Sequence, residues 1–467
     1  MAQTREEEMV VMFPFMAQGH IRPFLALALQ IELKMGYKII IVNTPLNIKK
    51  LHSSIPPNSS ISLTELPFCS TDHGLPPDSE NTDGLPYPLI CNLLEASVTL
   101  KPYFDQLILD ITKKQGHPPL CIIADMFTGW TLDIARELNI FHSVFQTGSA
   151  FGMAVYYSLW VHLPHSKTDA DEFTLPDFPE VSSIHRSQVT NNMKYADGND
   201  RWSKIIQKLL SYWFESDGML VSTIEELDQI GLKYFRRKSG GKPVWPILPA
   251  FRCQKNGTSG DGVVYTIRPQ NNSGVGSEKC IEWLNSHSAN SVLFVSFGSQ
   301  NTISSTQMMQ LAIALETSGK NFIWVVRPPI EFEITEKFRS EWLPEGYEDR
   351  NKRAEQGAHM LESLSNGVPL LGWPLAGEQF NNSKLLEEET GVAVEVGRGT
   401  TCEIKHENVK TAIELVMGDS EKGLQIRKKA NEVKEMIKDA VRDDEGFKGS
   451  SVKAIEDFIN TALSRRE

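Results

Sequence analysis

The first half of the chain alternates short apolar runs with amphipathic stretches. Residues 9–13 form an apolar run closed by Pro14, the pattern of a buried strand. Residues 21–34 carry Leu25, Ala28, Leu29 and Leu33 at helical spacing, with Gly36 as the stop. The same pattern predicts strands at 37–42, 120–124, 143–145 and 219–222, and helices at 129–138 and 224–235. Between 249 and 279 the periodicity lapses into Gly, Asn and Ser. The alternation then restarts, with strands at 291–297, 322–326 and 369–373 and helices at 306–316 and 379–389. A charge-rich helical tail over 424–463 breaks near Gly446. Strands and helices alternating at this spacing imply parallel sheets joined by right-handed crossovers.

A chain of 467 residues exceeds the ~250–300 at which single cores stop growing. Two domains are therefore expected, 1–248 and 280–467, joined by a linker at 249–279. Two doubly wound α/β halves place a ligand cleft at the carboxyl ends of their strands. The linker glycines follow no strand, and the first strand runs into Gln18-Gly19-His20 rather than G-x-G-x-x-G, which argues against an NAD-linked oxidoreductase.

The net charge of −12 argues against nucleic acid or an anionic membrane as the main partner. It leaves room for a phosphate-bearing ligand, which needs only a local positive end such as a helix N-terminus. The six cysteines are scattered with no C-x-x-C pair, suiting a reducing compartment and no zinc site. The first residues are acidic rather than a basic leader, and no apolar run reaches the ~18 residues of a membrane span. The expectation is a cytoplasmic protein.

Candidate chemistry sits at two strand ends. His20 lies just past a glycine in the first strand–helix turn, where an imidazole can act as a general base. Such a base needs a carboxylate on its other ring nitrogen, and Asp125, at the end of the 120–124 strand, is the candidate. The bland alternative is that His20 caps the first helix and Asp125 caps the helix at 129–138.

Two segments change that balance. Phe13-Pro-Phe-Met-Ala-Gln-Gly-His-Ile-Arg-Pro-Phe24 and Ala124-Asp-Met-Phe-Thr-Gly-Trp130 resemble the hallmark turns of plant family-1 UDP-sugar glycosyltransferases. The resemblance extends over nearly the whole chain, through Asp217–Leu227, Trp245-Pro246, Val295–Ser299, Leu343–Gly346 and the carboxyl-terminal helices. It implies the GT-B fold: two Rossmann-like domains facing a cleft, acceptor in the first and UDP-sugar in the second, with the last helix able to return to the first domain. It implies an inverting O-glycosyltransferase in which His20 deprotonates the acceptor hydroxyl and Asp125 holds His20. No cofactor and no metal are implied, the UDP-sugar being a co-substrate, and a monomer is expected. By the same resemblance Phe15, Met16, Phe127 and Thr147 line the pocket of a small apolar acceptor.

On the donor side the resemblance is broken. The closing part of the family's signature is present from Leu361 to Gln379, so Glu362 would bind the ribose hydroxyls. Glu378 and Gln379 would bind the sugar, the closing Gln favouring glucose. Gly298, Ser299 and Gln300 would approach the diphosphate. The opening part is absent: the chain passes from Arg350 to Met360 where relatives carry about 30 more residues, the size of one strand–helix–strand unit. Lost with it are the Trp that stacks on uracil, the Gln beside it, and the His, Asn and Ser that meet the diphosphate. His359 lies too close to Glu362 to replace that His. Removing an interior strand leaves its neighbour unpaired or forces the sheet to close up. The second domain is therefore expected to be shortened between about 350 and 360. The competing reading is a non-catalytic or impaired relative that keeps a small-molecule pocket.

Overall fold

Strand β1 (Met9–Phe13) coincides with its apolar run, and all but its first residue are fully buried. In this computed structural model the described residues are 8–249, 251–252, 263–264, 277–298, 301–333, 336, 339–347 and 360–466. By contacts the chain divides into two units: Met1–Pro269 together with Met436–Glu467, and Gln270–Glu435. The second unit thus ends at Glu435 rather than at the chain's end, and the last residues belong to the first unit. The linker expected at 249–279 lies largely outside the described residues, where Phe251–Arg252 pairs antiparallel with Val263–Val264.

The first unit is a seven-stranded parallel sheet. Its strands are β1, β2 (Lys38–Asn43), β3 (Ser62–Glu65), β4 (Cys121–Asp125), β5 (Phe141–Gln146), β6 (Gly218–Val221) and β7 (Val244–Pro246), in the order β3-β2-β1-β4-β5-β6-β7. The order reverses between β1 and β4, the switch point at which open α/β sheets bind ligands. Helix α1 (Gln18–Met35) packs Phe24, Leu25 and Leu29 on one face of the sheet and stops at Gly36, whose φ of 75° suits glycine. The helices of ten or more residues that follow in this unit's first segment are α2 (Lys101–Gln115), α3 (Ala150–His162), α4 (Arg201–Glu215) and α5 (Gln229–Lys238).

Helix α5 begins five residues later than its periodicity predicts, because Asp228 turns inward. Its buried carboxylate accepts the Phe151 N–H at 3.0 Å, at the start of α3. Gly231 lets the two helices approach: a Cβ there would stand 2.1 Å from Phe151 N.

The second unit contains two separate parallel pairs rather than one sheet. Strand β8 (Val292–Val295) pairs only with β9 (Asn321–Trp324), and β10 (Leu370–Gly372) only with β11 (Ala393–Glu395), among the described residues. The Val-Leu-Phe-Val run of β8 is apolar throughout, as for a strand covered on both faces. It is nevertheless only partly buried, with Phe294 40% exposed. A split sheet is one of the two outcomes expected from the missing segment, the other being a sheet that closes up. Helix α6 (Ser305–Thr317) is set by a capping box between Ser304 and Gln307, and buries Met308, Leu311 and Leu315 against Trp324, Trp342 and Ile413.

Helices α7 (Met360–Ser365) and α8 (Gln379–Lys384) follow; the helix expected to run on to 389 changes to a π-helical turn at Leu385–Glu389. Helix α9 (His406–Met417) precedes α10 (Glu421–Ala440), which crosses from the second unit into the first. A small hairpin around Gly446, at the expected break, leads to α11 (Ser450–Ser464). There Phe458 packs on Trp245 with ring centroids 5.2 Å apart, and Asp457 accepts the Trp245 indole N–H at 2.7 Å.

Candidate active site

His20 is the third residue of α1, seven residues beyond the end of β1, and Asp125 is the last residue of the neighbouring β4. His20 Nδ1 lies 2.9 Å from Asp125 Oδ2. Asp125 is fully buried and the His20 side chain 18% exposed, so the pair has a dry end and a wet end. A carboxylate accepting from Nδ1 puts the proton there and the basic lone pair on Nε2. Burial shields the pair from competing water, which strengthens the contact.

The capping alternative does not describe these side chains. The residue capping α1 is Ala17, with no side-chain hydrogen bond, while His20 turns to Asp125. Asp125 does stabilise its own turn, its Oδ1 accepting the Phe127 N–H at 3.0 Å, but its other oxygen is committed to His20.

Two aromatic rings flank the imidazole. The Phe15 and Phe127 centroids lie 5.6 and 5.5 Å from that of His20, and 5.3 Å from one another. Met16 is also in this turn, but its side chain is 1% exposed, and its carbonyl accepts the Thr82 N–H at 3.1 Å. Thr147, half-buried after β5, places its hydroxyl oxygen 3.4 Å from His20 Nδ1. Nearer the surface, Tyr87 donates its phenol hydrogen to Asn192 Oδ1 at 3.1 Å and stacks on Trp202.

Two buried side chains missed in the sequence hold the turn that leads to His20. Asn43, at the end of β2, donates from Nδ2 to Pro14 O at 2.9 Å. Thr128 donates its hydroxyl to Phe13 O at 2.8 Å and accepts the Asp125 N–H at 2.8 Å. Polar side chains buried at strand ends are the only signal that marks them, and that signal needs the fold.

The donor-side residues lie on separate elements of the second unit. Gly298 follows β8 with a φ of 80°. Glu362 lies half-buried on α7, its carbonyl accepting from Ser365 and Asn366. Glu378 precedes α8, and the exposed Gln379 accepts the Leu375 N–H at 3.0 Å. Ser299, Gln300 and His359 lie outside the described residues. A surface groove of about 620 Å³ beside β7, lined in part by Arg236, Trp245 and Lys453, contains none of the candidate residues. Among the described residues no helix is long and apolar enough to cross a membrane.

The doubly wound first unit and the likeness to solved structures define a glycosyltransferase of the GT-B class. The structure of Glycyrrhiza uralensis UGT73P12, complexed with glycyrrhetinic acid 3-O-monoglucuronide, matches with a TM-score of 0.79 and 25% identity, over 98% of this chain and 96% of that one. A family model described as UDP-glucoronosyl and UDP-glucosyl transferase matches residues 270–428. UDP-glycosyltransferase 92A1 of Arabidopsis thaliana is 44% identical over 98% of this chain and 97% of its own length. Crocetin glucosyltransferase 3 of Crocus sativus is 40% identical, over 89% and 92%. The chain belongs to the plant UDP-glycosyltransferase family, enzymes of secondary metabolism. The Arabidopsis alignment runs over 491 residues, more than the chain's own 467, so it includes positions with no counterpart here.

Proposed function

We propose that the chain is a UDP-glucose-dependent, inverting O-glycosyltransferase for a small, apolar, hydroxyl-bearing plant metabolite, working as a cytoplasmic monomer without metal or cofactor. The observation that carries this reading is the His20–Asp125 contact of 2.9 Å, with the Phe15 and Phe127 rings packed against the imidazole. His20 Nε2 takes the proton from the acceptor hydroxyl. The acceptor oxygen attacks the anomeric carbon, the bond to the β-phosphate oxygen breaks, and UDP departs with the electron pair. Asp125 stabilises the imidazolium while the proton resides on His20. Phe15 and Phe127 offer an apolar wall, which suits an aromatic or terpenoid acceptor. The relative named for crocetin and the solved structure holding glycyrrhetinic acid 3-O-monoglucuronide fit that class. Glu362, Glu378 and Gln379 are assigned to the donor by family resemblance, with Gly298, Ser299 and Gln300 at the diphosphate.

The split sheet favours a second reading: a relative whose first unit binds a small molecule while the donor site is impaired. Stacking on the base is worth ~1–3 kcal/mol by itself, and a helix N-terminus aimed at the phosphates adds to it. Calorimetric titration of UDP decides. Micromolar binding that disappears in Glu362→Ala supports the transferase. No heat from a cooperatively folded protein supports the second reading.

A further inference from the structure

Sheet pairing stops just where β1 must deliver His20. The last register partners of β1 are Met12 with Ile41 on one side and Phe13 with Ala124 on the other. Beyond them, side chains replace strands: Asn43 holds Pro14 O, and Thr128 holds Phe13 O. Thr128 differs from Asn43 in one respect. Its hydroxyl also accepts the Asp125 N–H, so a single oxygen links the segment leading to His20 with the residue that orients His20. Thr128 is 1% exposed, and no bulk water competes for either bond.

We propose that Thr128 is a positioning residue for the His20–Asp125 pair, setting the separation of the β1 and β4 ends at which Asp125 Oδ2 meets His20 Nδ1. This rests on the reading of that pair as base and orienter. The task demands one atom that donates and accepts at once, which only a hydroxyl of this size provides here. Valine has nearly the same shape but takes the acceptor from Asp125 N–H and the donor from Phe13 C=O. The bland role for Thr128 is to hold its own turn, since its N–H donates to Asp125 O at 2.9 Å. That bond belongs to the backbone and survives any side-chain change, so the two roles separate experimentally.

The test is nitrogen NMR of the full chain carrying ¹⁵N-histidine, with the His20 signals assigned by their loss in His20→Gln. Imidazole nitrogen shifts report which nitrogen carries the proton. The wild type is expected to hold the Nδ1–H tautomer, and Asp125→Asn to lose that preference. Thr128→Val is expected to raise the share of the Nε2–H tautomer severalfold, and Thr128→Ser to restore the wild-type spectrum. If the valine variant does not fold, Thr128→Ala carries the same comparison. A wild-type spectrum in the hydroxyl-less variant, with a changed one in Asp125→Asn, overturns the role of Thr128 and leaves the pair standing. An altered spectrum in Thr128→Ser also overturns it, since the hydroxyl is then not what matters. No change in Asp125→Asn overturns the reading of the pair itself. None of these outcomes requires turnover.

Discussion

His20 and Asp125 are 105 residues apart, and parallel pairing of β1 with β4 is what brings them together. On the transferase reading His20→Ala lowers the rate about 10²–10⁴-fold, the usual worth of a general base, and leaves UDP affinity unchanged. Asp125→Asn produces a loss of the same order through the wrong tautomer. A coupled assay of UDP release checks both. The pair was legible because each member sits in a recognisable strand-end motif. Thr128 and Asn43 were not, since nothing local distinguishes them from ordinary turn residues.

Another buried histidine governs stability rather than chemistry. His142 lies between the Thr131 and Ser216 hydroxyls, and burial pushes it down from 6.5 to about 3. The folded state therefore binds fewer protons than the unfolded state between those values, and stability falls as pH drops below 6.5. Asp228 acts in the opposite sense. Burial raises its carboxyl from 3.8 to about 6, so its contribution is lost as pH rises through that window. Replacing His142 with Gln is expected to lower the slope of unfolding free energy against pH by about 1.4 kcal/mol per unit between roughly pH 4 and 6. Denaturant titrations at several pH values measure it.

At the scale of elements, amphipathic helices and short apolar strands were readable, and a uniformly apolar helix was not. Helix α3 buries residues on nearly every side, among them Phe151, Met153, Ala154, Val155 and Leu159, so no 3.6-residue stripe announces it. Helix α4 is absent from the sequence reading although it carries a signal, with Ile206, Leu209, Leu210 and Trp213 at helical spacing behind an Asp200 cap. The late start of α5 follows from a tertiary demand, the commitment of Asp228 to the start of α3. That junction tolerates no side chain at Gly231, where a Cβ would meet Phe151 N at 2.1 Å. Gly231→Ala is expected to destabilise the first unit by about 2–4 kcal/mol through forced separation of the two helices. Thermal unfolding in the presence and absence of the substitution gives the value.

At the scale of the whole molecule, the two units differ in how well their sheets are covered. Strands β4 and β5 are buried at every residue, whereas β8 and β10 are only partly covered. Two calorimetric transitions are expected, the second unit melting first. Saturating UDP raises only the lower one if the donor site survives, by about 2.7 kcal/mol at a hundredfold excess over Kd. A single transition would show the two units to be energetically coupled.

The return of the chain to its first unit sets an order of events at birth. The first unit is left at Pro269 and re-entered at Met436, so its sheet is translated long before α11 exists. At ordinary synthesis rates the nascent sheet waits roughly 10–30 s, with the seat for Phe458 against Phe141 and Trp245 still vacant. The unit that carries His20 and Asp125 is thus begun before the second unit and completed after it. Loss of α11 would leave the His20–Asp125 pair encoded intact and the Phe141 and Trp245 rings without Phe458 against them.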